Sequence, residues 1–149
     1  MVVTKRKCSI PDLPMQRQFG FHEKGRFFDL RALFDRLNAV YFEDQLEAYT
    51  IVWGRKRRLR PRNGIVFGSI QEEKRLIRIH PLLDQAFVPR WFVEYVIYHE
   101  MCHAVVPDEF HARGGRIVHH ERFYARERKF YRFRRAKAWE KQNLARFLR

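Results

Sequence analysis

Residues 89–107 read PRWFVEYVIYHEMCHAVVP. Pro89 suits the first position of a helix, and the helix must end before Pro107. Between them, Trp91 through Val106 is apolar on nearly every face, which predicts a helix at the centre of the molecule rather than on its surface. Its last turns carry His99, Glu100 and His103 in the pattern H-E-x-x-H. Residues four apart share a helix face, so the two imidazoles can grip one metal ion. Glu100, one position round, can reach a water at that ion and take its proton. A shuffled chain of this composition shows the pattern with a chance of roughly 2%, so its surroundings must decide.

Working toward the N-terminus, Arg75–His80 alternates Ile77 and Ile79 with polar residues, as a half-buried strand does. Ile65–Ile70 reads as a second strand, joined to it across Gln71–Lys74. Ahead of them Asn63-Gly64 makes a turn, and Arg55, Lys56, Arg57, Arg58, Arg60 and Arg62 crowd one short segment. Tyr49–Trp53, β-branched and aromatic, is a further strand. Asp29 is a good N-cap, and Leu30, Leu33, Phe34, Leu37 and Tyr41 follow on one face of a helix that ends near residues 42–44. Asn38 within it reads as a structural amide. Residues 1–25 mix Pro, Gly and charge without period and form an arm; 26–149 reads as one domain.

Beyond Pro107, Asp108–Gly115 reads as a loop, and 117–147, free of Pro and Gly, as one long basic helix with Phe123, Phe130, Phe133, Leu144 and Phe147 inward. A catalytic zinc takes three protein ligands and leaves a fourth position open. The downstream candidates are His111, His119, His120, Glu121 and Glu127. Val106 and Glu109 stand where a metzincin needs Gly and His, which removes that class. Cys102, between the two histidines, cannot easily reach the same ion and reads as a small core residue. His22 and His80 read as surface or structural.

Four segments in order resemble the SprT-like (Spartan-type) zinc metallopeptidase family over roughly residues 28–135. They are Leu33-Phe34-Asp35-Arg36-Leu37-Asn38-Ala39-Val40-Tyr41-Phe42, then Ile77-Arg78-Ile79-His80-Pro81-Leu82-Leu83-Asp84, then His99–His103, then His119-His120-Glu121-Arg122-Phe123. The resemblance implies a compact α+β, zincin-like domain: an N-terminal helix, a small β-sheet, the buried H-E-x-x-H helix and a helix bringing a third histidine. It implies one Zn²⁺ held by His99, His103 and His119, with Glu100 catalytic and Phe123 in a packing role. The family has Gly after its third histidine; His120 stands there, so His119 and His120 both remain candidates, His119 first. The resemblance also implies proteins at or crosslinked to DNA as substrates, although residues 1–149 hold no C-x-x-C pair of the kind that builds the zinc ribbon of many members.

Composition bears on partners. Of 149 residues 46% are apolar, and 31 Lys and Arg against 17 Asp and Glu leave a net charge of +14. That excess suits a polyanion, DNA in single or double strands. The expected contacts are Arg55, Lys56, Arg57, Arg58 and Arg60, with Arg128, Lys129, Arg132, Arg134 and Arg135. Two cysteines, Cys8 and Cys102, without a C-x-x-C pair argue against a disulfide framework. The N-terminus has no apolar h-region, and the run 86–106 carries too many polar groups to span a bilayer. The expectation is an intracellular protein, cytoplasmic or in the nucleoid or nucleus, not secreted and without membrane attachment. Two rivals stand beside the peptidase: a nucleic-acid-binding module with a structural zinc, and a membrane-surface enzyme. Glu100 argues against the first, since a structural zinc needs no general base; the second lacks a clean apolar face.

Overall fold

The computed structural model describes residues 22–56 and 65–149. In chain order it runs α1 (Leu30–Phe42), β1 (Thr50–Trp53), β2 (Gly68–Gln71), β3 (Leu76–Ile79), a 3₁₀ turn (Pro81–Leu83), α2 (Arg90–Val105), β4 (Glu109–Phe110), β5 (Arg116–Ile117), α3 (Glu121–Glu127) and α4 (Phe133–Phe147). This is an α+β arrangement. Three strands form one sheet in the order β1-β3-β2, with β1 parallel and β2 antiparallel to the central β3. Among the described residues strand β2 is therefore an edge. Cys8, the expected turn at Asn63-Gly64, and Arg57, Arg58, Arg60 and Arg62 lie outside the described residues.

The α1 helix starts where its cap chemistry places it: the Asp29 carboxylate accepts from the Ala32 backbone N–H. It stops at Glu43, in the left-handed region at φ 51. Asn38 explains how the chain leaves the helix, because its Oδ1 accepts the buried Leu46 N–H at 3.1 Å. Leu30, Leu33, Phe34 and Leu37 pack inward beneath Ile51, Ile77 and Ile79 of the sheet. Helix α2 fills the remaining core. Every residue from Phe92 to Tyr98 is buried, the apolar all-round pattern of a central helix.

The segment before α1 is tied down. Trp53 N–H donates to His22 O, Leu30 N–H to Glu23 O, and Lys24 bridges Asp29. Asp84 anchors the approach to the helix, accepting from the backbone N–H groups of Arg26 (2.5 Å), Phe27 (2.8 Å) and Phe28 (3.2 Å). Gly25 leaves room for that carboxylate, where a Cβ would collide with it. His80 Nδ1 accepts the Leu82 N–H and caps the 3₁₀ turn, so the Ile-His-Pro stretch is a structural corner.

Three expectations need correction. The first strand of the hairpin begins at Gly68, not Ile65. Residues 108–115 are not wholly loop: Glu109–Phe110 pairs antiparallel with Arg116–Ile117. The long helix over 117–147 is two helices, with an extended lead-in at His120 (φ −129, ψ 178) and a turn over 128–132. Nothing in the local sequence forces that turn; tertiary packing does. It drives Phe130 into contact with Tyr41, Tyr95 and Tyr98, and lets the Tyr41 hydroxyl accept the Tyr131 N–H. It also redirects α4 so that Trp139 and Phe147 reach Phe92, Phe87 and Phe67. Among the described residues no helix is long and apolar enough to cross a membrane.

Asp84→Ala removes three hydrogen bonds at once, two of them where water can partly replace the carboxylate. Urea unfolding should show a loss of about 1–3 kcal/mol, the scale for stripping partners from polar groups.

Candidate metal centre

Three elements assemble the site. Helix α2 presents Phe92, Tyr95, Val96, His99, Glu100 and His103 along one face, toward a cavity of about 350 Å³. Gly68, Ile70 and Glu72 of β2 and its following turn form a second wall, and Lys137 and Glu140 of α4 a third. The hairpin of β4 and β5 then folds the chain back, so that His119, two residues past β5, returns over the end of α2.

Nε2 of His119 lies 3.2 Å from Nε2 of His99 and 3.1 Å from Nε2 of His103. Among the described residues this is the one group of ligating side chains close enough to share an ion. Zinc with bonds of 2.0–2.1 Å at tetrahedral angles separates its nitrogens by roughly 3.3 Å, so the spacing fits such a cation. Protonation state agrees with that fit. Burial, then repulsion from His99 and His119, lowers the His103 pKa to about 4; burial and His99 also lower that of His119. Neutral imidazoles offer lone pairs.

The tautomer of His99 is set from behind. Its Nδ1 lies 2.8 Å from Oε1 of Glu127, and the Tyr95 hydroxyl donates to the same oxygen at 2.5 Å. Burial raises the Glu127 pKa, but the hydrogen bonds from His99 and Tyr95 outweigh it and hold the group below the ordinary carboxylate value. An ionised Glu127 keeps the proton on Nδ1 and frees Nε2, the usual outer support of a metal-bound histidine. Phe123, fully buried, supports all three imidazoles: its ring lies 4.3 Å from His103 and about 5 Å from each of the others.

Glu100 is 6% exposed on the cavity wall. Burial pushes its carboxyl up to about 7, with His99 pulling it partway back. Its acid and base forms are thus both within reach near neutrality. Cys102 is fully buried, and burial pushes its thiol up to about 12, so it behaves as an inert core residue.

The other candidates fall elsewhere. His120 turns away: Nε2 meets Pro107 O at 2.9 Å, and Nδ1 lies 3.2 Å from the Glu109 carboxylate but out of hydrogen-bond alignment. It pins the hairpin to the end of α2. His111 and Glu121 are exposed, Glu121 paired with Arg128. Glu127, a candidate ligand by spacing, instead holds a ligand-type histidine. Sequence reasoning misses that supporting position because contact across 28 residues leaves no local trace. The usable signal is a lone acid in a basic, aromatic stretch.

The family model for the SprT-like family matches residues 30–139, nearly three quarters of the chain. The chain belongs to the SprT-like family. Membership makes this a metallopeptidase-type domain. Neither a curated protein nor a solved structure matches the chain. The SprT-like match begins at the first residue of α1 and reaches into α4, so it takes in all three histidines and Glu127.

Glu127→Ala leaves His99 Nδ1 and the Tyr95 hydroxyl without their acceptor. Chelator-competition titration with Zn²⁺ should show affinity weakened by about tenfold to a hundredfold, with the circular dichroism spectrum preserved. The same titration separates the adjacent histidines. His119→Ala should abolish stoichiometric binding, whereas His120→Ala should retain it.

Proposed function

We propose that this SprT-like protein is a zinc-dependent endopeptidase with a zincin-type site, acting on proteins at or crosslinked to DNA. The observation that carries the reading is the convergence of three imidazole Nε2 atoms beside a buried carboxylate on a cavity walled by a sheet edge. His99, His103 and His119 are the ligands of one Zn²⁺. A zinc ion there supplies Lewis acidity toward water and a peptide carbonyl. Every other part of the chemistry belongs to the chain.

Glu100 accepts a proton from the attacking water and delivers it to the departing amine nitrogen. Burial raises this carboxyl above its ordinary value, which favours holding the proton for delivery to the amine. Among the described residues strand β2 pairs with β3 on one side only, and that edge is suited to an extended peptide laid along it as an added strand. Ile65, Phe67, Ile70, Phe92 and Val96 give the cavity an apolar lining for a substrate side chain. Glu127 and Tyr95 keep His99 in the tautomer that binding needs.

Support for DNA comes from charge. Arg55, Lys56, Arg128, Lys129, Arg134 and Arg135 are exposed, and Arg132 is half-buried between the rings of Trp91 and Tyr131. Exposed Tyr131 and Tyr124 stand among these cations, a mixture suited to phosphate pairing with base stacking.

Glu100→Gln should bind zinc normally and cleave a DNA-binding protein about 10²–10⁴-fold more slowly than the parent. Equal cleavage by both, or none by either with and without DNA, would sink the peptidase reading and favour a structural zinc. Affinity for single-stranded DNA, measured against salt, should fall linearly with log salt; a flat line would remove the phosphate contact.

A further inference from the structure

Gly68 opens β2, paired with Ile79 of β3. Glycine weakens a strand, because it adds no packing and loses more backbone entropy than any other residue. Its backbone does not require it: of the described glycines, only Gly114 has positive φ. What glycine supplies at this position is space. A Cβ on Gly68 would lie 2.7 Å from Oε1 of Glu100, 2.9 Å from its Cγ and 3.1 Å from its Cδ. The first two are closer than side-chain carbons come to such atoms and the third is tight, and the crowded neighbour is the one carboxylate of the H-E-x-x-H motif. Gly54, at the end of β1, gives the contrast: its Cβ would meet Ile79 O at an ordinary 3.5 Å.

We propose that Gly68 is a positioning residue, whose missing side chain forms the slot in the sheet edge that holds the Glu100 carboxylate at the cavity wall. The inference rests on Glu100 as the proton-transfer group. A methyl at position 68 pushes Oε1 out of the slot, and displacements on the order of 1 Å at such a group cost about a hundredfold in rate. The three histidines are untouched, so metal binding stays.

The test joins kinetics to a stability cycle that needs no activity. Gly68→Ala should lower kcat at least tenfold, leave KM within about twofold, and keep one zinc per chain, while Gly54→Ala stays at the parent rate. In metal-free protein, Gly68→Ala should lower the melting temperature in the parent and have no such effect in a Glu100→Ala background, where the slot is vacant. Should Gly68→Ala fail to fold in the parent, recovery of folding in the Glu100→Ala background carries the same result. Equal melting shifts in both backgrounds, or a kcat within twofold of the parent, overturns the inference. An active parent with an inactive Glu100→Gln variant alongside either outcome leaves the peptidase reading standing. A parent as inactive as Glu100→Gln refutes that reading, while the melting cycle still decides the contact.

Discussion

Helix α2 has to be buried on nearly all sides and still deliver two imidazoles and a carboxylate to one open patch. Burial of Phe92 through Tyr98 and of Met101 and Cys102 locks the helix among α1, the sheet and the two C-terminal helices. A helix held on all but its cavity face cannot rotate, so the direction of its last two turns is set by apolar packing far from the histidines. The polar cost of that placement falls on a few groups. Each is relieved locally: Glu94 by Arg36 and Arg90, Tyr98 by the Arg126 carbonyl, His99 by Glu127.

The third imidazole comes from a different kind of structure. His119 is on no helix; it sits between a two-residue strand and the start of α3. Its position depends on the hairpin, which is fastened by the Asp108–Arg116 ion pair and by His120 against Pro107. Phe123 then gives all three rings a common floor. The site therefore combines a rigid half, from α2, with a half stapled by short polar contacts.

Positive charge and cleft meet in one element. Helix α4 turns Trp139 and Phe147 into the aromatic core, Lys137 and Glu140 toward the cavity, and Arg134, Arg135 and Lys141 toward solvent. Arg135 and Arg146 lie over the rings of Trp91 and Phe87, so part of the basic surface is also packing. A net charge alone could not distinguish cations that pack from cations that are free to meet a phosphate.

The sequence alone was enough for α1 and α2, because their signals are local: a cap at Asp29, a period of 3.6, and a run between two prolines that is apolar on nearly every face. It also carried the family and the two histidines of one helical turn, whose separation follows from helix geometry. The break between α3 and α4 was not legible, since no residue in 128–132 forbids a helix; contact of Phe130 with Tyr41, Tyr95 and Tyr98 decides it. Sequence left His119 and His120 side by side as candidates, and only the extended backbone at 120 points them apart. The pairing of Glu127 with His99, and the emptiness of Gly68 beside Glu100, join residues about thirty positions apart. Such contacts have no period and no motif, and the tertiary structure alone decides them because they depend on how separate elements pack.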